Sequence, residues 1–227
     1  EEVMLPFILQ FYRKMFKSPQ FTIYNNESTD YTKKIAEENE CKIVDFSTNG
    51  LNDTIHAQIK SDACLNNKAK WGIFIDCDEA CLITEEDLIF CKADVIQFEG
   101  WEIFDKAINP YNVEFKGVRS IGYSKPVCIR TGVLEDIKFG AGAHNIDSYK
   151  GNPVWSRNEF KLLHFKHWSY EWSLGRSHYL SGRRSEENIK KGHGFHYGLS
   201  DEIHLDYYTN GYNNREQIID KRLNLLK

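Results

Sequence analysis

The sequence predicts an α/β fold on a mostly parallel central sheet flanked by helices, with an α+β second half. Three observations predict it: β-like and helical stretches alternate through residues 1–90, a buried-looking run at 71–75 ends in a cluster of acids, and short β-like stretches take over after residue 90. At 227 residues the chain can bury one substantial core. It reads as a single domain over 1–227, with no repeat, low-complexity tract or linker, divided into halves at 1–90 and 91–227.

The first element is EEVMLPFILQFYRKMF (1–16), whose apolar residues recur at helical spacing behind two acids that favour a helix start. FTIYNN (21–26) is β-rich, and ESTDYTKKIAEENE (27–40) is helical, with Ser28 or Thr29 as its cap. CKIVDF (41–46) is again β, NDTIHAQIKSDACLNNKA (52–69) is helical, and WGIFID (71–76) reads as a fully buried strand. In such sheets ligands bind beyond the carboxyl ends of the strands, which is where the acids fall.

After residue 90, ADVIQFEGWEIF, EFKGVRSIGY and KPVCIRTG are short β-like stretches, followed by a Gly- and His-containing loop, FGAGAHNIDSYKGNP. Residues 162–192 are mostly helical after one short strand, and the tail 201–227 ends in a helix.

A formal charge of -4, from 33 acids against 29 bases, argues against wholesale binding to nucleic acid or an anionic membrane, so any phosphate binding is local. No apolar run approaches the ~20 residues that span a bilayer, and the start does not read as a signal peptide. The six cysteines show neither a CxxC pair nor a disulfide framework, so free thiols in a reducing, cytoplasmic compartment are expected.

The acids themselves carry the chemistry. On an extended strand Asp76 and Asp78 face one side while Cys77 faces the other, and two aligned carboxylates suit a hard cation, Mn²⁺ or Mg²⁺, with substrate phosphates completing its shell. The plain alternative is a solvated acidic turn capping the following TEEDL helix.

The ordered set FTIYNNESTDYT, KIVDF and IHAQIKSDACLNNKAKWGIFIDCDEACL resembles the nucleotide-sugar half of a GT-A fold glycosyltransferase of the family 2-like kind, over about the first 90 residues and more loosely beyond. The resemblance implies a Rossmann-like GT-A sheet, a nucleotide-sugar-binding half at 1–90, an acceptor-side half at 91–227, and a strand ahead of residue 1. It also implies a donor such as a UDP-sugar, a glycan or glycoprotein acceptor, and inversion at the anomeric carbon. Asn25, Asn26, Ser28 and Asp30 would line the nucleoside pocket, with Asn25 standing where that family shows Asp. Lys60 and Asp62 would lie near the nucleotide, Asp76 would approach ribose and metal, and Asp78 would bind the metal directly.

Seven of the eight histidines lie in the second half, and the resemblance takes one of them as a further metal ligand: His164, at the end of an apolar run, with His144 and His196 as rivals. SGRRSEENIKKGHGFHY (181–197) resembles a loop closing over the diphosphate through Arg183 and Arg184, with Lys190 and Lys191 nearby. A carboxylate or His would serve as general base, from Glu79, Glu99, Glu102, Asp136 or His144. Trp101, Trp155, Trp168 and Trp172 are candidates for stacking on sugar rings. Two other readings of the acids are a haloacid dehalogenase-type phosphatase, with Asp76 as nucleophile and Asp78 as general acid, and a non-catalytic carbohydrate-binding domain.

Overall fold

The computed structural model describes residues 1–226. Helix α1 (Met4–Met15) opens the chain and packs on several sides: Met4, Leu5, Phe7, Ile8, Leu9, Phe11, Tyr12 and Met15 are all buried. Strands β1 (Thr22–Asn26) and β2 (Lys42–Phe46) pair in parallel across helix α2 (Thr32–Glu38), as the alternation predicts. The expected cap of α2 is displaced. Its N-cap residue is Tyr31, which gives no side-chain bond, and Asp30 Oδ1 accepts from the Thr32 amide instead.

Helix α3 (Asp53–Asn66) is capped by Asn52, whose side chain accepts from the Ile55 amide. Strand β3 (Trp71–Ile73) is half the length expected, and the acids after it occupy a turn leading into β4 (Glu79–Leu82), a fully buried strand that the sequence reading did not separate from the acid cluster. Helix α4 (Glu85–Phe90) starts on a capping box between Thr84 and Asp87.

The second half supplies β5 (Val95–Phe104), β6 (Lys116–Arg119), β7 (Cys128–Arg130) and β10 (Trp155–His167). The expected loop at 139–153 holds much of a hairpin, β8 (Asp136–Phe139) with β9 (Ile146–Lys150). Helices α5 (Tyr170–Gly182), α6 (Glu186–Lys191) and α7 (Asp201–Asn214) follow, then β11 (Glu216–Gln217) and a 3₁₀ turn at Lys221–Leu225 in place of the expected terminal helix. Residue 227, included in that expectation, lies outside the described residues.

The expected parallel, Rossmann-like GT-A sheet is not what forms. The main sheet is mostly antiparallel and strongly curled, a half-barrel path in the order β11, β6, β5, β10, β4, with β7 bridging β5 to β3. Among the described residues its one parallel pairing is β5 with β10. The β1–β2 pair is a separate two-stranded sheet. The physical reason lies in the partners of β3: its hydrogen bonds go to β7, antiparallel, with Gly72 opposite Ile129. Alternation of strand and helix describes the chain locally up to residue 66, but β3 and β4 find their antiparallel partners, β7 and β10, in the second half of the chain. One hydrophobic cluster runs from Met4 through Phe98, Val127 and Phe165 to Leu223, so both halves of the chain share a core.

Candidate functional site

A cleft of about 1900 Å³ lies between the β1–α3 side of the molecule and helix α5. The turn at 76–79 forms part of its wall, and the pairing of β4 with β10 sets what that turn meets. Glu79 lies opposite His164 in the antiparallel register, and the Phe165 amide donates to the Asp78 carbonyl at 2.7 Å. Asp78 Oδ2 consequently stands 3.5 Å from His164 Nε2, with both side chains buried. Tyr123 stacks on the His164 ring at a centroid distance of 4.1 Å.

The two aspartates do not stand side by side on a strand. The strand ends at Ile73, and the Glu79 amide donates to the Asp76 carbonyl across the turn, so strand alternation does not govern residues 76 and 78. Asp76, 46% exposed, gives one oxygen to Lys60 at 2.7 Å and the other to Lys125 at 3.5 Å. Desolvation in the cleft alone would raise its pKa; Lys60 and Lys125 hold the carboxyl well below the usual range. The same contest at Asp78 is won by Arg176 and His164, with Arg176 Nη2 at 3.3 Å. Glu79 is 1% exposed, and both its oxygens are taken, by Lys125 at 2.5 Å and by the Asp76 amide at 3.2 Å. Burial would lower the Lys125 pKa, but Glu79 and Asp76 raise it.

Three carboxylates therefore meet Lys60, Lys125 and Arg176 around one turn. Asp78 and His164 are the pair that could hold a divalent ion: an ionised oxygen and an imidazole nitrogen facing one another suit Mn²⁺ or Mg²⁺ when phosphate oxygens supply further ligands. Among the described residues no three His, Cys, Asp or Glu side chains gather as a metal-ready group. Asp76, expected with Asp78 and His164, is turned to its lysines. His164 Nδ1 is buried without a hydrogen-bond partner among the described residues.

The remaining expected residues divide between cleft and scaffold. Asn26, Ser28, Asp30 and Lys60 line the cleft. Asn25 is buried behind them, donating to Asp45 at 2.7 Å and accepting from the Ser28 amide at 3.2 Å, an Asx-type turn that shapes the 25–28 bend. Asn26 Nδ2 donates to Thr48 Oγ1 at 2.8 Å. Asp62 is exposed on α3, accepting from Gln58 at 2.9 Å. Arg183 reaches the cleft rim, where its guanidinium meets Tyr179 Oη at 2.9 Å and the Asn26 carbonyl at 3.4 Å. Arg184 is half-buried outside the cleft lining, and its Nε has no partner among the described residues. The 181–197 segment is docked on the first half: Asn188 bonds the Asp53 amide and carboxylate at 3.0 and 3.1 Å, and Lys191 pairs with Glu187.

Among the candidate bases, Glu99 is engaged by Arg119 and Trp101, Glu102 by His167 and Tyr207, and Asp136 is exposed on β8. His144 lines the cleft, and burial, aided by Lys125, pushes its pKa down to about 4.

The sequence reading did not single out Lys125, Lys166, Arg176, Tyr123 or Tyr197, all of which line the cleft. One signal was present: Lys166 interrupts an apolar run, LLHFKHW, and a lysine inside a buried strand needs a reason. Burial pushes its pKa down to about 8. Compared with known proteins, the chain matches no family model and no curated protein sequence.

Proposed function

We propose that the protein is a metal-dependent glycosyltransferase that moves a hexose-type sugar from a nucleoside diphosphate donor, a UDP-sugar, to a glycan hydroxyl. The observation that carries the reading is the approach of Asp78 to His164 in the wall of a cleft large enough for a nucleotide-sugar. Asp78 and His164 would hold a Mn²⁺ or Mg²⁺ ion, which when bound offsets the negative charge that builds on the departing diphosphate.

The chain's own groups would do the rest. Asn26, Ser28 and Asp30 would line the nucleoside side of the cleft, the Asn26 amide bonded to Thr48 and the Asp30 carboxylate to the Glu1 amino group and the Thr32 amide. Lys60 and Lys125 hold Asp76 ionised, leaving it available to a ribose hydroxyl. His144 would take the acceptor proton, since it faces the cleft and is neutral at neutral pH, whereas both Glu79 oxygens are already engaged. The reading rests on the site and the sequence resemblance; a parallel GT-A sheet forms no part of it.

A second reading has its own observation in favour. It is a non-catalytic carbohydrate-binding domain: Lys60, Lys125 and Arg176 already balance the three acids around the turn, so the turn stands without a catalytic ion. Calorimetry separates the two. The transferase binds UDP in the presence of Mn²⁺, weakly in its absence, and Asp78→Asn removes the metal-dependent part, a loss of about tenfold or more. UDP affinity indifferent to Mn²⁺ in the wild type would transfer the weight to the binding-domain reading.

A further inference from the structure

We propose that Lys166 is the cleft's receptor for an oxyanion and, under the transferase reading on which this inference rests, that the oxyanion is the diphosphate of the sugar donor. Lys166 lies on β10 two residues beyond His164, lines the same cleft, and is 6% exposed. The β5–β10 register shifts between His164 and His167, an irregularity of the kind that re-aims side chains beside functional sites.

The ammonium makes no hydrogen bond and no ion pair among the described residues; its one specific neighbour is the Tyr197 ring, with Nζ 4.8 Å from the centroid. The other cations around the acid turn are all paired, Lys60 to Asp76, Lys125 to Glu79 and Arg176 to Asp78. The acids nearest Lys166 are committed as well. Asp78 faces Arg176 and His164, and Glu102 accepts from Tyr207 and faces His167. Most of the Lys166 side chain is buried while the residue lines the open cleft, so an anion entering the cleft would supply the acceptor that its ammonium lacks among the described residues.

A diphosphate fits this placement. Lys166 follows His164 by two residues on β10 and lines the same cleft, so two linked phosphates could meet Lys166 with one and, with an ion bound there, the Asp78–His164 pair with the other. The basic residues expected to do this work are elsewhere: Arg183 at the rim on Tyr179 and Asn26, Lys191 on Glu187, and Lys190 exposed on α6.

The test is calorimetric titration of inorganic pyrophosphate, in dilute Mg²⁺ near neutral pH, into the wild-type chain, Lys166→Met, Lys166→Arg and the surface control Lys190→Met. Lys166→Met should weaken pyrophosphate binding about tenfold or more, Lys166→Arg should retain most of it, and Lys190→Met should leave it unchanged. Because methionine replaces an unpaired buried ammonium, the melting temperature of Lys166→Met should equal or exceed that of the wild type. Undiminished pyrophosphate binding by folded Lys166→Met, or no binding by the wild type, overturns the proposal. So does a Lys166-dependent affinity for D-glucuronate with pyrophosphate unaffected, which would make the anion an acceptor carboxylate. A Lys166-dependent pyrophosphate site on a chain that binds UDP no better than pyrophosphate, with or without Mn²⁺, supports the anion site and removes the transferase reading.

Discussion

Lys125 and Glu79 meet at 2.5 Å with side chains 2% and 1% exposed. Such a pair is stabilising only as a pair: removing one member strands the other charge in the interior. Lys125→Met should therefore destabilise the fold by about 3–5 kcal/mol, measured by urea unfolding. Adding Glu79→Gln should recover part of that loss, because the stranded carboxylate is gone. A double variant no more stable than the single one would mean that the cost comes from packing around residue 125 rather than from the stranded charge.

At the scale of elements, β10 carries the site, and its far end is a polar network buried beneath α5 and α7. His167 stacks on Phe104 at 4.8 Å, its Nδ1 lies 2.7 Å from Ser173 Oγ, and its Nε2 lies 3.5 Å from Glu102. Burial pushes the His167 pKa from 6.5 down to about 4. The unfolded chain then binds more protons than the native one between these values, so stability is full above about pH 6.5 and falls as the pH drops toward 4. His144 and His196, each pushed down by burial to about 4, contribute in the same direction. For Glu102, burial alone would raise the pKa, but bonds from His167 and Tyr207 hold it at about 2, so a further loss follows as the pH falls from about 4.5 toward 2. The His167 share is at most about 3 kcal/mol. Calorimetric melts between pH 7 and pH 4 should show the decline, and His167→Gln should flatten it; an unchanged slope in that variant would refute the assignment.

For the whole molecule, the arrangement of the sheet implies that the first 90 residues do not fold alone. β3 is paired with β7 and β4 with β10, both from the second half, and the shared core draws on Val127, Cys128, Leu162 and Phe165. A fragment comprising 1–90 would expose the fully buried β4 and most of α1, and its amide NMR spectrum should lack the dispersion of a packed protein. A well-dispersed spectrum would show an independent nucleotide-side unit.

Local features were legible in the sequence where local chemistry governs them. The apolar spacing of α1 and the β1–α2–β2 order depend on neighbours a few residues apart, whereas the strand placement of Asp76 and Asp78 failed because β3 ends at Ile73. His164 was readable as a histidine closing an apolar run, but not its distance from Asp78. Tertiary structure alone decided that β3 joins β7, that the main sheet curls with mostly antiparallel neighbours, and that Lys125 and Arg176 meet the acids while Lys166, among the described residues, pairs with none. The reason is physical: backbone hydrogen bonds between strands and ion pairs across a cleft join residues dozens of positions apart, and periodicity records which face of an element is buried, never which distant partner buries it.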